Sequence, residues 1–240
     1  MARISGTNDG VERTVKVLVA CEESQEVCKA FRAKGHEAYS CDIIPCSGGH
    51  PEWHIQCDCL NILTGGVFVT MDDTIHEINR WDLIIAHPPC TYLTICGNSW
   101  FNVEKYGDKA LQRYKDRYKA IVFFMQMIYA DADMVAVENP IGIMNTAYRK
   151  PDQTIQPYMF GHPIGKSTCL WLKNLPPLLP TEWWIPERIH SSGKSGGYSG
   201  NSWYVKDENG KALRWADQKT KQARSKTFPG IAKAMADQWG

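Results

Sequence analysis

Short apolar runs recur along this chain, and each is cut off by a polar residue or a proline. Residues 14–20, TVKVLVA, are the first. Branched side chains pack well on a pleated backbone, so the run predicts a buried strand. Residues 25–34 follow with Val27, Ala30 and Phe31 at helical spacing and stop at Gly35, which predicts a helix closed by a glycine. Residues 37–41 predict a second strand with Asp42 at its end. Residues 54–58 lead into a third, with Asp58 at an edge. Residues 79–86, 134–137 and 166–172 predict three more. Ala110, Tyr114, Tyr118, Ile121, Met125 and Ile128 recur at helical spacing. They predict a long helix in which the stripe of Tyr114, Tyr118 and Met125 is core. Residues 228–238 predict a closing helix. Alternating strands and helices predict an α/β fold, a doubly wound, mostly parallel, Rossmann-like sheet with helices on both faces.

Two of these strands end alike. In residues 81–90, WDLIIAHPPC, the apolar run meets two prolines. Proline lacks an N–H and restricts the residue before it, so the strand is expected to stop there. Cys90 stands just past the break. Ligands collect at the carboxyl edge of such sheets, which makes Cys90 a candidate nucleophile. Residues 134–140, MVAVENP, end in Glu138, Asn139 and another proline. The expectation is that Cys90 and Glu138 lie side by side over one cofactor. The plainer reading is a buried cysteine in a tight turn and a glutamate that caps another.

The first strand–helix–strand unit suits a nucleoside cofactor. Its loop is Cys21, Glu22, Glu23 and Ser24, and Asp42 closes its second strand. A carboxylate there can accept hydrogen bonds from two ribose hydroxyls. The loop lacks the glycines that let backbone approach a pyrophosphate, which argues against NAD or FAD. S-adenosylmethionine carries no phosphate, and an acid in the loop suits its ammonium group.

Composition narrows this only a little. At 240 residues the chain can bury a sizeable core. The formal net charge of +1 argues against a polybasic binder but leaves segregated charge open. Lys194, Lys206, Lys211, Arg214, Lys219, Lys221, Arg224 and Lys226 crowd one region, interleaved with Trp203, Tyr204 and Trp215, a mixture suited to nucleic acid. No apolar run reaches spanning length and residues 1–13 carry no hydrophobic signal core, so a cytoplasmic location is expected. The nine cysteines are then expected to be reduced. Cys41, Cys46, His50, His54, Cys57 and Cys59 crowd one stretch, but their spacing matches no standard zinc finger, and no metal is expected.

A cysteine and a glutamate at adjacent strand ends suit one reaction well. A thiolate adds to carbon 6 of cytosine, which makes carbon 5 nucleophilic enough to take a methyl group from a sulfonium. A glutamate that holds a proton on nitrogen 3 eases the addition. The chemistry calls for a cysteine of lowered pKa and a buried glutamate of raised pKa.

With these residues in place, the chain resembles the DNA cytosine 5-methyltransferases, especially the small methyltransferase-like proteins carried by bacterial viruses. Residues 17–24, VLVACEES, resemble the first cofactor motif. Pro89 and Cys90 resemble the Pro-Cys motif, and Glu138 and Asn139 the Glu-Asn motif. Residues 225–235, SKTFPGIAKAM, resemble the last motif. The resemblance implies catalytic roles for Cys90 and Glu138, with Lys166 and Thr168 beside a flipped base. It implies S-adenosylmethionine contacts from Ala20, Cys21, Glu22, Glu23, Ser24, Asp42, Ile43, Asp58, Cys59, Pro88, Lys226 and Thr227. DNA is the implied partner. The implied layout is a catalytic core at 1–175, a reduced target-recognition-like insertion at 176–226, and a C-terminal helix at 227–240.

Several features depart from that pattern. The first motif lacks the family's glycines, Thr91 replaces the usual glutamine, and no arginine stands near Lys166. The insertion is short, so a free cytosine nucleotide remains an alternative substrate. So do a non-catalytic binder and a transferase acting on an exocyclic amine. Lys226 stands where the family has an asparagine. A cation there suits carboxy-S-adenosylmethionine, and so carboxymethyl transfer. Residues 91–106 are expected to form a loop that closes over the base.

Overall fold

A computed structural model describes residues 13–184 and 217–240. The basic and aromatic residues between Lys194 and Trp215, and most of the expected insertion, lie outside the described residues.

Strand β1 (Lys16–Ala20) leads to helix α1 (Glu26–Ala33), strand β2 (Glu37–Asp42) and strand β3 (His54–Gln56). Gly35 follows α1 at φ +84°, a conformation that costs glycine no Cβ clash. A hairpin of β4 (Gly66–Val69) and β5 (Ile75–Ile78) precedes β6 (Leu83–Ala86). After β6 come a short helix α2 (Val103–Tyr106), the long helix α3 (Asp108–Ile128) and strand β7 (Met134–Pro140). The described residues end with α4 (Met144–Ala147), β8 (Gln153–Ile155), β9 (Thr168–Lys173), α5 (Gln218–Ser225) and α6 (Pro229–Trp239).

Seven strands form one sheet in the order β3-β2-β1-β6-β7-β9-β8. The first five run parallel, while β9 is antiparallel to both β7 and β8. This is the expected doubly wound, Rossmann-like α/β architecture. Past Lys16, β1 is apolar and buried, as is the whole of β6, because both faces of the sheet are covered. Side chains alternate between the faces. Leu18, Ile84 and Val137 pack with Phe124 and Met127 of α3. Val17, Val19 and Ile85 pack with Phe31 of α1 and with Ile231 and Met235 of α6. Chain order reverses between β1 and β6, which opens a crevice at their carboxyl ends.

Some elements differ from expectation. The β4–β5 hairpin and β8 were not anticipated. Residues 79–82 are not strand: the Trp81 indole donates to the Ile62 carbonyl, and Asp82 accepts from the Lys16 amide, so both are held by neighbours off the strand. β7 continues through Glu138 and Asn139 to Pro140, because antiparallel β9 pairs along its whole length. Pro140 is its last residue, where a missing N–H is tolerated. The two tyrosines of the α3 stripe are not core, whereas Met125 is half-buried and packs against it. Tyr118 is 70% exposed and Tyr114 50%, while Ala110, Phe124, Met127 and Ile128 face inward. The N-terminal half of α3 packs on residues 91–101 instead of on the sheet. Arg113 donates to the Thr91 carbonyl, and Arg117 to the Tyr92 carbonyl and Asn98. That segment contains 3-10 turns over Ile95–Phe101. Among the described residues, no helix is long and apolar enough to cross a membrane.

Candidate functional site at the sheet edge

The crevice is built from three loops. After β1 the chain turns without glycine: Cys21 and Gln25 both take φ 60°, a conformation that costs a residue with a Cβ about 1 kcal/mol. Gln25 is held there by bonds to the Ser40 hydroxyl and to both backbone groups of His50. Glu22 is buried and accepts from the Val27 and Cys28 amides at 2.7 and 3.2 Å. It thus satisfies two free N–H groups at the start of α1. Burial raises its pKa, although the nearby His87 charge and the two amides pull the other way.

After β6 the backbone stays locked. The His87 amide donates to the Ala20 carbonyl, and the Leu93 and Thr94 amides both donate to the Cys90 carbonyl. From the end of β7, the Asn139 side chain donates to the Pro88 carbonyl at 2.8 Å. These bonds present Cys90 at the surface, exposed, on a loop tied to two strands. Glu138 projects from β7, and its Oε2 lies 3.3 Å from His87 Nδ1.

One cavity of about 360 Å³ joins these parts. Its walls are Cys21, Glu22, Glu23 and Ser24 from the first loop, Asp42 and Ile44 from beyond β2, His87, Pro89, Cys90 and Thr91 from the second loop, and Ser225 and Thr227. Its volume lies in the ordinary range for small-molecule sites. A smaller adjoining pocket is lined by His87, Glu138, Lys166, Thr168, Lys226 and Phe228 among others. His87 therefore stands in the wall of both. Glu138 lines the smaller pocket and Cys90 the larger.

The remaining expected contacts fall as follows. Ala20 is buried at the end of β1, beneath the loop. Pro88 is buried behind the Cys90 loop. Lys226 lines the smaller pocket, and Thr227 lines both. Ile43 is exposed, and it is Ile44 that reaches the cavity wall. Asp58 accepts from the Leu60 amide, capping the turn Cys59–Asn61. Cys59 is buried against Cys21, with the sulfurs 3.7 Å apart. Neither Asp58 nor Cys59 is among the residues lining the cavity. The Thr168 hydroxyl donates to the Lys166 carbonyl, and the Lys166 ammonium donates to the Arg224 carbonyl at 2.8 Å. The crowded cysteines and histidines disperse: Cys41 pairs with Cys57, His54 is buried between Ser40 and the Ile44 carbonyl, and His50 stacks on Trp53. Among the described residues, no group of three or more such side chains is arranged to hold a metal.

The electrostatics reverse the expectation for both key groups. Although Cys90 reaches the surface, desolvation by the protein around it pushes the thiol above its ordinary pKa, and the Glu138 charge adds to this. Lys166, a backbone hydrogen bond and Arg224 pull it down without prevailing. Burial alone would raise Glu138. The hydrogen bond and charge of His87, with Lys166 behind them, hold its carboxyl below the usual range. Burial likewise opposes a charge on His87. Its bond to Glu138 and the negative charges of Glu138 and Glu22 outweigh that and lift its pKa above the ordinary value.

The structure adds two residues to those expected at the site. His87 is one, and its signal was its position as the polar residue that closes an apolar strand just before the cysteine. Arg224 is the other. It brings a guanidinium within electrostatic range of Cys90, although it lies far from Lys166 in sequence.

Comparison with protein-family models finds no match, and comparison with curated proteins finds none either. Among solved structures, the chain has a weak likeness to a protein assigned as a DNA modification methyltransferase, encoded within a prophage of E. coli. The identity is 14% over 66% of this chain, with a TM-score of 0.35. The match spans only 46% of that protein, and a likeness this weak carries no argument about activity.

Proposed function

We propose that this chain transfers a one-carbon group from S-adenosylmethionine to carbon 5 of cytosine in DNA. The observation that carries the reading is the shared cavity. Cys90 borders the same space as the Cys21–Ser24 loop and Asp42, and Glu138 lies one histidine away. The residues fit such a cofactor. Asp42 sits at the end of β2, suited to ribose hydroxyls, and Glu23 on the first loop is an acid suited to an ammonium group. When bound, the cofactor supplies an electrophilic methyl group.

The chain's own residues do the rest. Cys90 Sγ adds to ring carbon 6, and Glu138 faces the nitrogen 3 edge. Lys166 and Arg224 offset the negative charge that builds on the thiolate. A cytosine within duplex DNA must leave the stack to reach Cys90. The finer readings, carboxymethyl transfer and a free nucleotide substrate, rest on Lys226 and on the short insertion respectively.

The test is direct. Protein is incubated with labelled S-adenosylmethionine and either duplex DNA or dCMP, and the products are digested to identify the modified base. Label on 5-methylcytosine from duplex DNA is expected, and a Cys90→Ala variant should form none. A variant that methylates as fast as the parent would refute the covalent route. Parallel incubation with carboxy-S-adenosylmethionine tests for carboxymethylcytosine.

A further inference from the structure

We propose that His87 is the proton reservoir of this site, holding the proton that Glu138 passes to nitrogen 3 of the base. The inference rests on the cytosine reading above and adds a residue to it.

The geometry is specific. The His87 side chain is only 10% exposed, and Nδ1 faces Glu138 Oε2 at 3.3 Å. Nε2 is buried with no hydrogen-bond partner, and the ring walls both the larger cavity and the pocket that holds Glu138. A buried ring nitrogen without a partner is costly, and its place in the wall of both cavities leaves it available to a polar group of a ligand bound there. Three charged groups act on the ring: Glu138 from β7, Glu22 from the loop after β1, and Lys166 ahead of β9. Two of the three are acids. The surroundings favour an imidazolium next to a carboxylate.

That arrangement solves a problem of charge. Nitrogen 3 of neutral cytosine is an acceptor. It cannot hydrogen-bond to an ionised carboxylate, since both present lone pairs. Glu138 must first gain a proton, and His87 carries one in contact with it. As Cys90 thiolate forms the sulfur–carbon 6 bond, the N–H bond at Nδ1 breaks and an O–H bond forms on Glu138. The carboxyl proton then ends on nitrogen 3, which takes up the electron pair displaced from the ring. On elimination carbon 5 loses its proton to solvent and the carbon 6–sulfur bond breaks. The nitrogen 3 proton returns through Glu138 to His87. The thiol's own proton leaves to solvent before addition, so the cycle closes without another reactant. His87 acts through Glu138 and is a positioning and proton-holding residue.

Two measurements test this on the full chain. The first follows the His87 ring by nitrogen-15 NMR as pH is varied, in wild type and in Glu138→Gln. His87 should lose its proton above the ordinary value of about 6.5 in wild type, and at lower pH in the variant. The second follows label transfer to duplex DNA against pH. His87→Asn should lower kcat at least tenfold at pH 8 with little change in KM. Expressed as a ratio to wild type at the same pH, which cancels the loss of Cys90 thiolate common to both, its rate should recover as pH falls toward 6, because a largely buried Glu138 without its cationic neighbour keeps a proton of its own. A merely structural histidine would give no such recovery. An unchanged pH profile in His87→Asn, or a His87 that titrates at the ordinary value in wild type, would overturn the proposal while leaving the transferase reading intact. Absence of any cytosine modification by wild type would overturn both.

Discussion

The side-chain amide of Asn139 donates to the Pro88 carbonyl across 2.8 Å, tying the last turns of β7 to the loop that carries Cys90. Asn139 is buried, so no water replaces that bond when it is lost. It joins two segments 51 residues apart and sets where Cys90 sits relative to Glu138. Asn139→Ala should destabilise the fold by about 1–2 kcal/mol, the usual cost of an unmade buried hydrogen bond. It should also slow label transfer to DNA several-fold. Urea melts and transfer rates check the two effects separately.

The Cys90 thiol should react as a sluggish nucleophile at rest. Desolvation by the surrounding protein and the Glu138 charge raise its pKa, while Lys166 lowers it. Glu138→Gln removes a like charge and should speed alkylation of Cys90 by iodoacetamide at pH 8. Lys166→Met should slow it. Mass spectrometry of the Cys90 peptide reads the rate among nine cysteines. Equal rates in all three proteins would mean that neither charge reaches the sulfur.

The His87–Glu138 pair should stabilise the fold only within a pH window. Glu138 is held below its ordinary pKa, so its contribution is present above that value and is lost as pH falls through the depressed one. His87 is raised, so its contribution is present below the ordinary imidazole value and is lost as pH rises through the raised one. The difference in Tm between wild type and His87→Gln should therefore be greatest at about pH 5–6 and shrink on both sides. A difference that grows steadily toward alkaline pH would contradict the pairing.

Gly142 is where residues 93–94 meet the chain just past β7. A Cβ built there would lie 2.0 Å from the Leu93 carbonyl oxygen, and backbone must move to admit it. Gly142→Ala should cost about 1–3 kcal/mol, the range for overpacking. It should also disturb the segment that follows Cys90, seen as faster amide exchange at Leu93 and Thr94.

Tyr118, by contrast, should tolerate change. At 70% exposed it contributes little burial, and Tyr118→Ser should shift stability by no more than about 0.5 kcal/mol. A loss of 2 kcal/mol or more would restore the tyrosine stripe to the core.

These cases show which parts of the molecule could be read in advance. β6, and β1 past Lys16, were legible because a strand segment covered on both faces must be apolar. Asp42 at the end of β2, Cys90 on the loop after β6 and Glu138 near the end of β7 were legible as groups by the carboxyl edge, and the parallel pairing brings them to one side of the sheet. Tyr114 and Tyr118 of α3 fall outside the core, unlike Met125, because helical period defines a face but not which layer covers it. Residues 91–101 took that place through Arg113 and Arg117, an association with no local pattern. The β4–β5 hairpin and β8 are too short for alternation to stand out.

The chain's linear pattern specified the α/β architecture and pointed to candidate groups at its edge, because burial and backbone sterics act locally and leave a periodic trace. It left open the protonation of those groups. The pKa values of Cys90 and Glu138 are shifted in directions opposite to those their chemistry suggested, because Coulomb energy depends on distance in space. His87, Lys166 and Arg224 come from three separate stretches of the chain, and the fold alone sets how close they stand to Cys90 and Glu138.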